Sequence, residues 1–214
     1  MTLRTARWLA LAGVIGPVVF VASFTLAGFI RPGYSPVHTA ISALGVGPNA
    51  WLEDIPAFLL GLSVLGFTLS FVHTMRPEMS GASLGASGLL LTIFGLVWII
   101  VSIFTSAPST RSVHVVASIV GEIAVTAAFF VIAIGLKGTA SWHRWPQYSG
   151  VAGVVTLVLV VLAFLASASR KSDSGSLTGL AERAMVIEVL VWFVIFGWKL
   201  FTNRSVTVSR ASGM

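Results

Sequence analysis

The stretch LALAGVIGPVVFVASFTLAGFI, residues 9–30, runs for 22 residues without a charged side chain. About 20 consecutive apolar residues are enough for a helix to cross the hydrocarbon core of a bilayer. Arg4 and Arg7 precede the stretch, as basic residues precede the apolar part of a secretory signal peptide. The apolar part of a signal peptide is usually about 7–15 residues long, however, and no clear small-residue cleavage site closes this one. We therefore predict a retained membrane-spanning helix.

Five further apolar runs have the same character, near residues 52–73, 84–105, 113–136, 148–168 and 180–201. The whole chain is 56% hydrophobic and only 9% charged, whereas soluble domains carry roughly a quarter charged residues. The sequence therefore predicts an all-α polytopic membrane protein, a bundle of about six transmembrane helices. The runs follow one another without a second composition, so residues 1–214 are predicted to form a single transmembrane domain.

The basic residues indicate an orientation and a partner. The formal net charge is +6, and the thirteen lysines and arginines are scattered along the ends of the apolar runs. More of them flank the runs on the side of the N-terminus, which predicts both termini in the cytoplasm and a multi-pass protein of the inner (plasma) membrane. The predicted partners are membrane lipids. Nucleic acid is not predicted, because the basic residues form no continuous face with interleaved aromatics.

The fourth run carries polar residues at helical spacing. His114, Ser118, Glu122 and Thr126 recur every four residues and so share one face of a helix. Such a face cannot meet lipid without large cost, so it is predicted to meet a neighbouring helix or a polar cavity open to the outer face. Glu188 lies at a similar predicted depth in the sixth run, and ionisable residues inside a span are functional candidates.

Between the first two runs lies a polar segment, RPGYSPVHTAISALG, residues 31–45. Pro32-Gly33 should end the first helix, and the helical spacing of TAISALG predicts a segment that re-enters or lies along the membrane interface. On the predicted topology this loop covers the mouth of the polar face. The sequence thus predicts an outward-facing pocket with a set of ligand-binding residues. They are Arg31, Tyr34, Ser35, His38, Ser42, Asp54, Arg111, His114, Ser118, Glu122, Glu188 and Trp192.

The loop also supports a resemblance. Together with Pro48-Asn49 and the apolar helix that follows, it resembles the bacterial membrane proteins grouped as domain-of-unknown-function family 998. The residues that carry this resemblance are Gly33, Tyr34, Pro36, Ser42 and Leu44, with His114 at the start of the fourth helix. The resemblance implies about six helices over most of the chain. It implies no reaction, because the family has none assigned.

Three classes of function stay open. The first is a non-catalytic binder of a lipid or small amphiphile, for sensing, transport or envelope maintenance. The second is an intramembrane enzyme acting on a lipid or isoprenoid, with Glu122, Glu188, His114 and His38 as catalytic candidates. The third is a structural membrane subunit. A zinc site from His38, His114 and a carboxylate, and a hydrolase using Ser42 with His38, both lack a supporting motif, so neither a metal nor a cofactor is predicted.

Overall fold

The computed structural model describes residues 1–168 and 177–202. These ranges contain no strand. The helices are α1 (Leu3–Ala10), α2 (Ala12–Ile30), α3 (Trp51–Met75), α4 (Gly81–Ile103), α5 (Arg111–Gly135), α6 (Trp145–Ala168) and α7 (Thr178–Thr202). Two short 3₁₀ helices, Ile41–Gly45 and Ala140–Trp142, lie in the connections. The predicted all-α class is confirmed.

Six segments are long and apolar enough to cross a membrane, with mean hydropathy from 2.0 to 2.6. The prediction of six spans is confirmed. The first span is longer than predicted, because α1 and α2 together cover Leu3–Ile30 and are separated only by a turn at Leu11. The hydroxyl of Thr2 caps α1 by accepting a hydrogen bond from the Thr5 amide at 3.1 Å, so the helix begins before the apolar run does.

The helices form a closed ring. From α2 to α7 each helix packs against the next one in the chain, and α7 returns to pack against α2. Since consecutive helices run in opposite directions, residues 31–50 and 104–110 lie at the same end of the ring, together with the N-termini of α3, α5 and α7. We call this end of the bundle the loop end.

Aromatic side chains fill the interior of the ring away from the loop end. Trp192 and Phe193 of α7 pack against Phe67 of α3 with ring centroids 6.0 and 5.1 Å apart, and Phe129 of α5 lies 4.5 Å from Trp192. All four are fully buried. Aromatic pairs of this kind add about 0.5–1.5 kcal/mol each beyond the area they bury, so this cluster fixes how α3, α5 and α7 meet.

Helices α3 and α4 come close together at a pair of glycines. A Cβ added at Gly61 would lie 2.7 Å from the carbonyl oxygen of Gly95. In lipid, small residues at a crossing let two backbones come together where packing rather than hydrophobicity holds helices in contact. The crossing therefore sets the spacing between the N-terminal half of α3 and the C-terminal half of α4.

Candidate functional site

The polar loop between α2 and α3 is closed by its own arginine. The guanidinium of Arg31 donates hydrogen bonds to the carbonyl oxygens of Ala43, Leu44 and Val46 at 2.7, 3.3 and 2.6 Å. These oxygens belong to the 3₁₀ helix Ile41–Gly45 and the residue after it. A charged donor satisfies several carbonyls at once, so Arg31 folds the loop back over the loop end of the bundle.

An acid of α7 holds the start of the same 3₁₀ helix. The carboxylate of Glu182 accepts hydrogen bonds from the backbone amides of Ile41 at 2.9 Å and Ser42 at 3.3 Å. The first amides of a helix lack internal partners, and a carboxylate there is favourable. Glu182 thus ties the loop to α7.

Arg183, the next residue, ties the loop down a second time. It donates to the carbonyl oxygens of Pro36 at 2.8 Å and Thr39 at 3.1 Å, and to the hydroxyl of Tyr34. Burial raises the pKa of Tyr34 above its usual value, although the hydrogen bond from Arg183 and its charge act in the opposite direction. The Tyr34 hydroxyl is therefore a neutral donor, and it lies 3.0 Å from the carbonyl oxygen of Ala40.

A cavity of about 100 Å³ lies inside the ring, under the 3₁₀ helix. Since a water molecule occupies roughly 30 Å³ in the liquid, the volume suits a few waters or a small chemical group. Its walls combine polar and aromatic side chains with aliphatic ones. The polar members are Ser42, Glu53, His114, Ser118, Glu122 and Glu182, and the aromatic members are Phe20, Phe94 and Trp98.

One acidic wall comes from the first turn of α3. Glu53 is 8% exposed and is followed in the sequence by a second acid, Asp54. Gly45 leaves room for the side chains of Glu53 and Asp54, because a Cβ added to this glycine would lie 2.6 Å from an oxygen of each acid. The helix dipole favours acids at this position.

The opposite wall comes from the polar face of α5. His114, Ser118 and Glu122 line the cavity, while Thr126 is buried farther from the loop end. The Nδ1 atom of His114 lies 3.0 Å from the carbonyl oxygen of Phe104, which holds the ring at the α4–α5 connection. Ser118 donates to the carbonyl oxygen of His114 at 2.8 Å, so its hydroxyl is already satisfied within the helix.

Two buried polar atoms of the cavity walls have no hydrogen-bond partner in the described part of the chain. They are Oε2 of Glu122 and Nε1 of Trp98. An unsatisfied buried polar group costs about 1–3 kcal/mol, and more where it is charged. A bound group or water that meets these atoms would recover that free energy.

The remaining predicted residues lie elsewhere. Glu188 accepts a hydrogen bond from Thr156 of α6 at 2.6 Å, and Trp192 belongs to the aromatic interior and donates to Ser149 at 3.2 Å. Neither lines the cavity. His38, on the exposed loop, does not line it either.

Ser35 and Arg111 also lie outside the cavity. Ser35 accepts from the His38 amide at 3.4 Å, and Arg111 is exposed at the start of α5. The structure therefore brings together Ser42, His114, Ser118 and Glu122, whereas Asp54 does not line the cavity. Within residues 1–168 and 177–202, no three His, Asp or Glu side chains are placed to hold a metal ion.

Eleven of the fifteen lining residues were missed by the pocket predicted from sequence, among them Glu53, Glu182 and Trp98. Glu53 precedes Asp54 in WLED, and helical spacing alone cannot decide which of two adjacent acids points inward. Glu182 lies near the start of a helix, where an acid is common, and its contact with the loop joins residues 140 positions apart. Trp98 gave no signal, because a tryptophan in an apolar run is typical of ordinary packing.

Comparison with known proteins gives a family but no activity. The profile of the family described as protein of unknown function (DUF998) matches residues 14–199, which confirms the resemblance seen in the sequence. No curated protein matches the chain. No solved structure matches it either.

Proposed function

Because this chain belongs to the DUF998 family, whose description carries no reaction, we propose a function from its own residues: the protein binds a lipid headgroup or small amphiphile in the acidic cavity. The proposal includes the orientation derived from the basic residues, with the loop end facing out of the cytoplasm across the plasma membrane. Binding of this kind serves sensing, transport or maintenance of the envelope.

The observation that carries the proposal is the unpartnered Oε2 of Glu122 in the cavity wall. A carboxylate placed inside a membrane span is costly unless a partner compensates it. The neighbouring polar groups are engaged elsewhere, since Ser118 donates within its own helix and Glu182 accepts from the loop. A ligand headgroup would supply the missing partner.

The apolar part of the lining supports an amphiphile over a purely polar solute. Val97 and Val101 of α4 and Met185 and Val186 of α7 line the same cavity as the acids. Binding sites for small molecules combine mostly apolar walls with a few polar groups that fix orientation. Here the polar groups gather beneath the loop, and the aliphatic ones suit the first carbons of a chain.

A second candidate, an intramembrane enzyme acting on a lipid or isoprenoid, is favoured by one feature. Glu53 and Glu122 line the same cavity, and Asp54 is the residue next to Glu53. A protonated acid and a carboxylate held in one pocket are the groups required for general acid and base catalysis.

Native mass spectrometry of the protein, extracted gently from its own membrane, tests the proposal. Wild type is compared with Glu122→Gln and with the matched control Glu188→Gln, whose carboxylate lies outside the cavity against Thr156. We expect a discrete adduct on wild type and on Glu188→Gln that is absent or strongly reduced on Glu122→Gln.

The adduct also separates the candidates. An intact lipid supports the binder, and a processed product supports the enzyme. A bare polypeptide in all three samples contradicts the proposed function and leaves a structural subunit. Equal adducts on all three samples contradict the assignment of the cavity, because lipid then adheres to the outer surface of the bundle.

A further inference from the structure

We propose that the headgroup held in this cavity carries a primary ammonium group. This inference rests on the proposed function, because it names the chemical class of the ligand for the same cavity. It depends on three observations: the charge of the lining, the unpartnered oxygen of Glu122, and the aromatic walls.

The cavity has an excess of acidic groups. Glu53, Glu122 and Glu182 line it together, and His114 is the only basic side chain of the described chain in the lining. The two nearby arginines are directed elsewhere, since Arg31 and Arg183 donate to carbonyl oxygens of the loop. A cation is therefore the charge class that this lining accepts, and an anionic phosphate or carboxylate would meet like charges.

Glu122 adds a requirement for a hydrogen-bond donor. Its Oε2 is buried and has no hydrogen-bond partner within the described residues. A quaternary ammonium has no N–H group, so it would compensate the charge but leave this acceptor unsatisfied. A primary ammonium supplies three donors on one small cation and satisfies both needs.

The aromatic residues favour an organic cation. Trp98 packs against Phe20 with ring centroids 4.8 Å apart and against Phe94 at 6.2 Å, and all three rings line the cavity. Tryptophan is the best of the aromatic side chains for attracting a cation to its face. The volume of about 100 Å³ admits an ammonium with a short carbon stem, and the aliphatic lining accommodates the stem.

The test uses full-length protein in nanodiscs of phosphatidylcholine, which contain no primary amine. Isothermal titration calorimetry compares hexylammonium, hexanol and hexyltrimethylammonium on wild type, Glu122→Gln and Glu188→Gln. Hydrogen bonds to charged groups contribute about 1.5–3 kcal/mol, so we expect hexylammonium to bind wild type roughly 10- to 100-fold more tightly than hexanol. This preference should be lost in Glu122→Gln and kept in Glu188→Gln.

Equal affinity for hexylammonium and hexanol overturns the inference, and so does tighter binding of the trimethylammonium probe. Loss of the preference in Glu188→Gln as well overturns the assignment to Glu122. If hexanol binds and the ammonium gives no advantage, the inference fails while the proposed function stands. If no probe binds and native mass spectrometry shows bare polypeptide, both fail. Should Glu122→Gln not fold, the affinity ratio on wild type decides alone.

Discussion

Replacing Gly61 with alanine should separate α3 and α4, two neighbouring helices that both line the cavity. The added Cβ would lie 2.7 Å from the carbonyl oxygen of Gly95 and 3.0 Å from the backbone nitrogen of Ile99. Both contacts are with backbone atoms, which cannot swing aside as a flexible side chain can. Glu53 lies in the first turn of the helix that contains Gly61, and Trp98 lies about one turn beyond Gly95. The crossing therefore also sets the distance between the acidic and aromatic walls of the cavity.

The cost can be estimated against a matched control. An ordinary contact begins near 3.4 Å, so α3 and α4 must move apart locally by about 0.7 Å, and overpacking of this kind costs typically 1–3 kcal/mol. Alanine also gains about 0.5–1 kcal/mol over glycine inside a helix. Gly85→Ala in α4 receives that gain alone, since no atom lies within 4 Å of its added Cβ. The difference between the variants is therefore the overpacking cost.

The assay is thermal unfolding in one detergent, followed by intrinsic fluorescence. At roughly 2–4 °C per kcal/mol for a chain of this size, Gly61→Ala should melt roughly 2–12 °C below Gly85→Ala. The ligand adduct of Gly61→Ala should also weaken, because its cavity walls have moved. Equal melting temperatures for the two variants would refute the close crossing of α3 and α4.

Three further predictions concern the loop end. The chain has only two tyrosines, so ultraviolet titration of a Tyr148→Phe variant reports Tyr34 alone. Because burial raises the pKa of Tyr34, this tyrosine should titrate above pH 10. Its contribution to the free energy of unfolding is complete below pH 10 and is lost as the pH rises through the folded-state pKa. Titration at or below pH 10 would contradict the burial. Gly45→Ala should lower the melting temperature by several degrees, because its Cβ would lie 2.6 Å from a Glu53 oxygen. Gly81→Ala has open space around its added Cβ and should not lower it. Equal shifts in melting temperature would count against the close packing of Gly45 on Glu53. Glu182→Gln should speed hydrogen exchange of the peptide containing residues 41–42 several-fold, since a charged acceptor becomes neutral. Glu78→Gln, at the other end of the bundle, should leave the exchange rate of that peptide unchanged. An unchanged rate in Glu182→Gln would argue against the hydrogen bonds between the loop and α7.

The number and type of the elements follow from the sequence, because each span is encoded locally. A run of about 20 apolar residues crosses a membrane as a helix whatever its neighbours are. The polar face of α5 could also be predicted from the sequence, since four-residue spacing places His114, Ser118 and Glu122 on one side of any helix. Local pattern could not give the order of helices around the ring, which lets Glu188 accept a hydrogen bond from Thr156 of α6 and leaves it outside the cavity lining.

The loop was harder to interpret, because its polar residues have two kinds of partner. Arg31 and Tyr34 belonged to the predicted pocket, and the structure uses both to hold the loop against carbonyl oxygens and Arg183. Ser42 lies in the same loop and does line the cavity. Composition cannot separate these roles, since a loop that covers a site needs polar groups for its own closure as well as for the site.

The most direct test of the account is whether the acidic cavity can be reached from outside the cell. The natural chain contains no cysteine, so Ser118→Cys places a single thiol in the cavity wall, and Ser87→Cys provides a fully buried control on α4. Intact cells are treated with membrane-impermeant thiosulfonate reagents of opposite charge. We expect Ser118→Cys to react, and to react faster with the cationic reagent than with the anionic one, whereas Ser87→Cys should not react. Labelling of Ser118→Cys only after the membrane is opened, or at equal rates with both charges, would contradict an outward-facing acidic cavity.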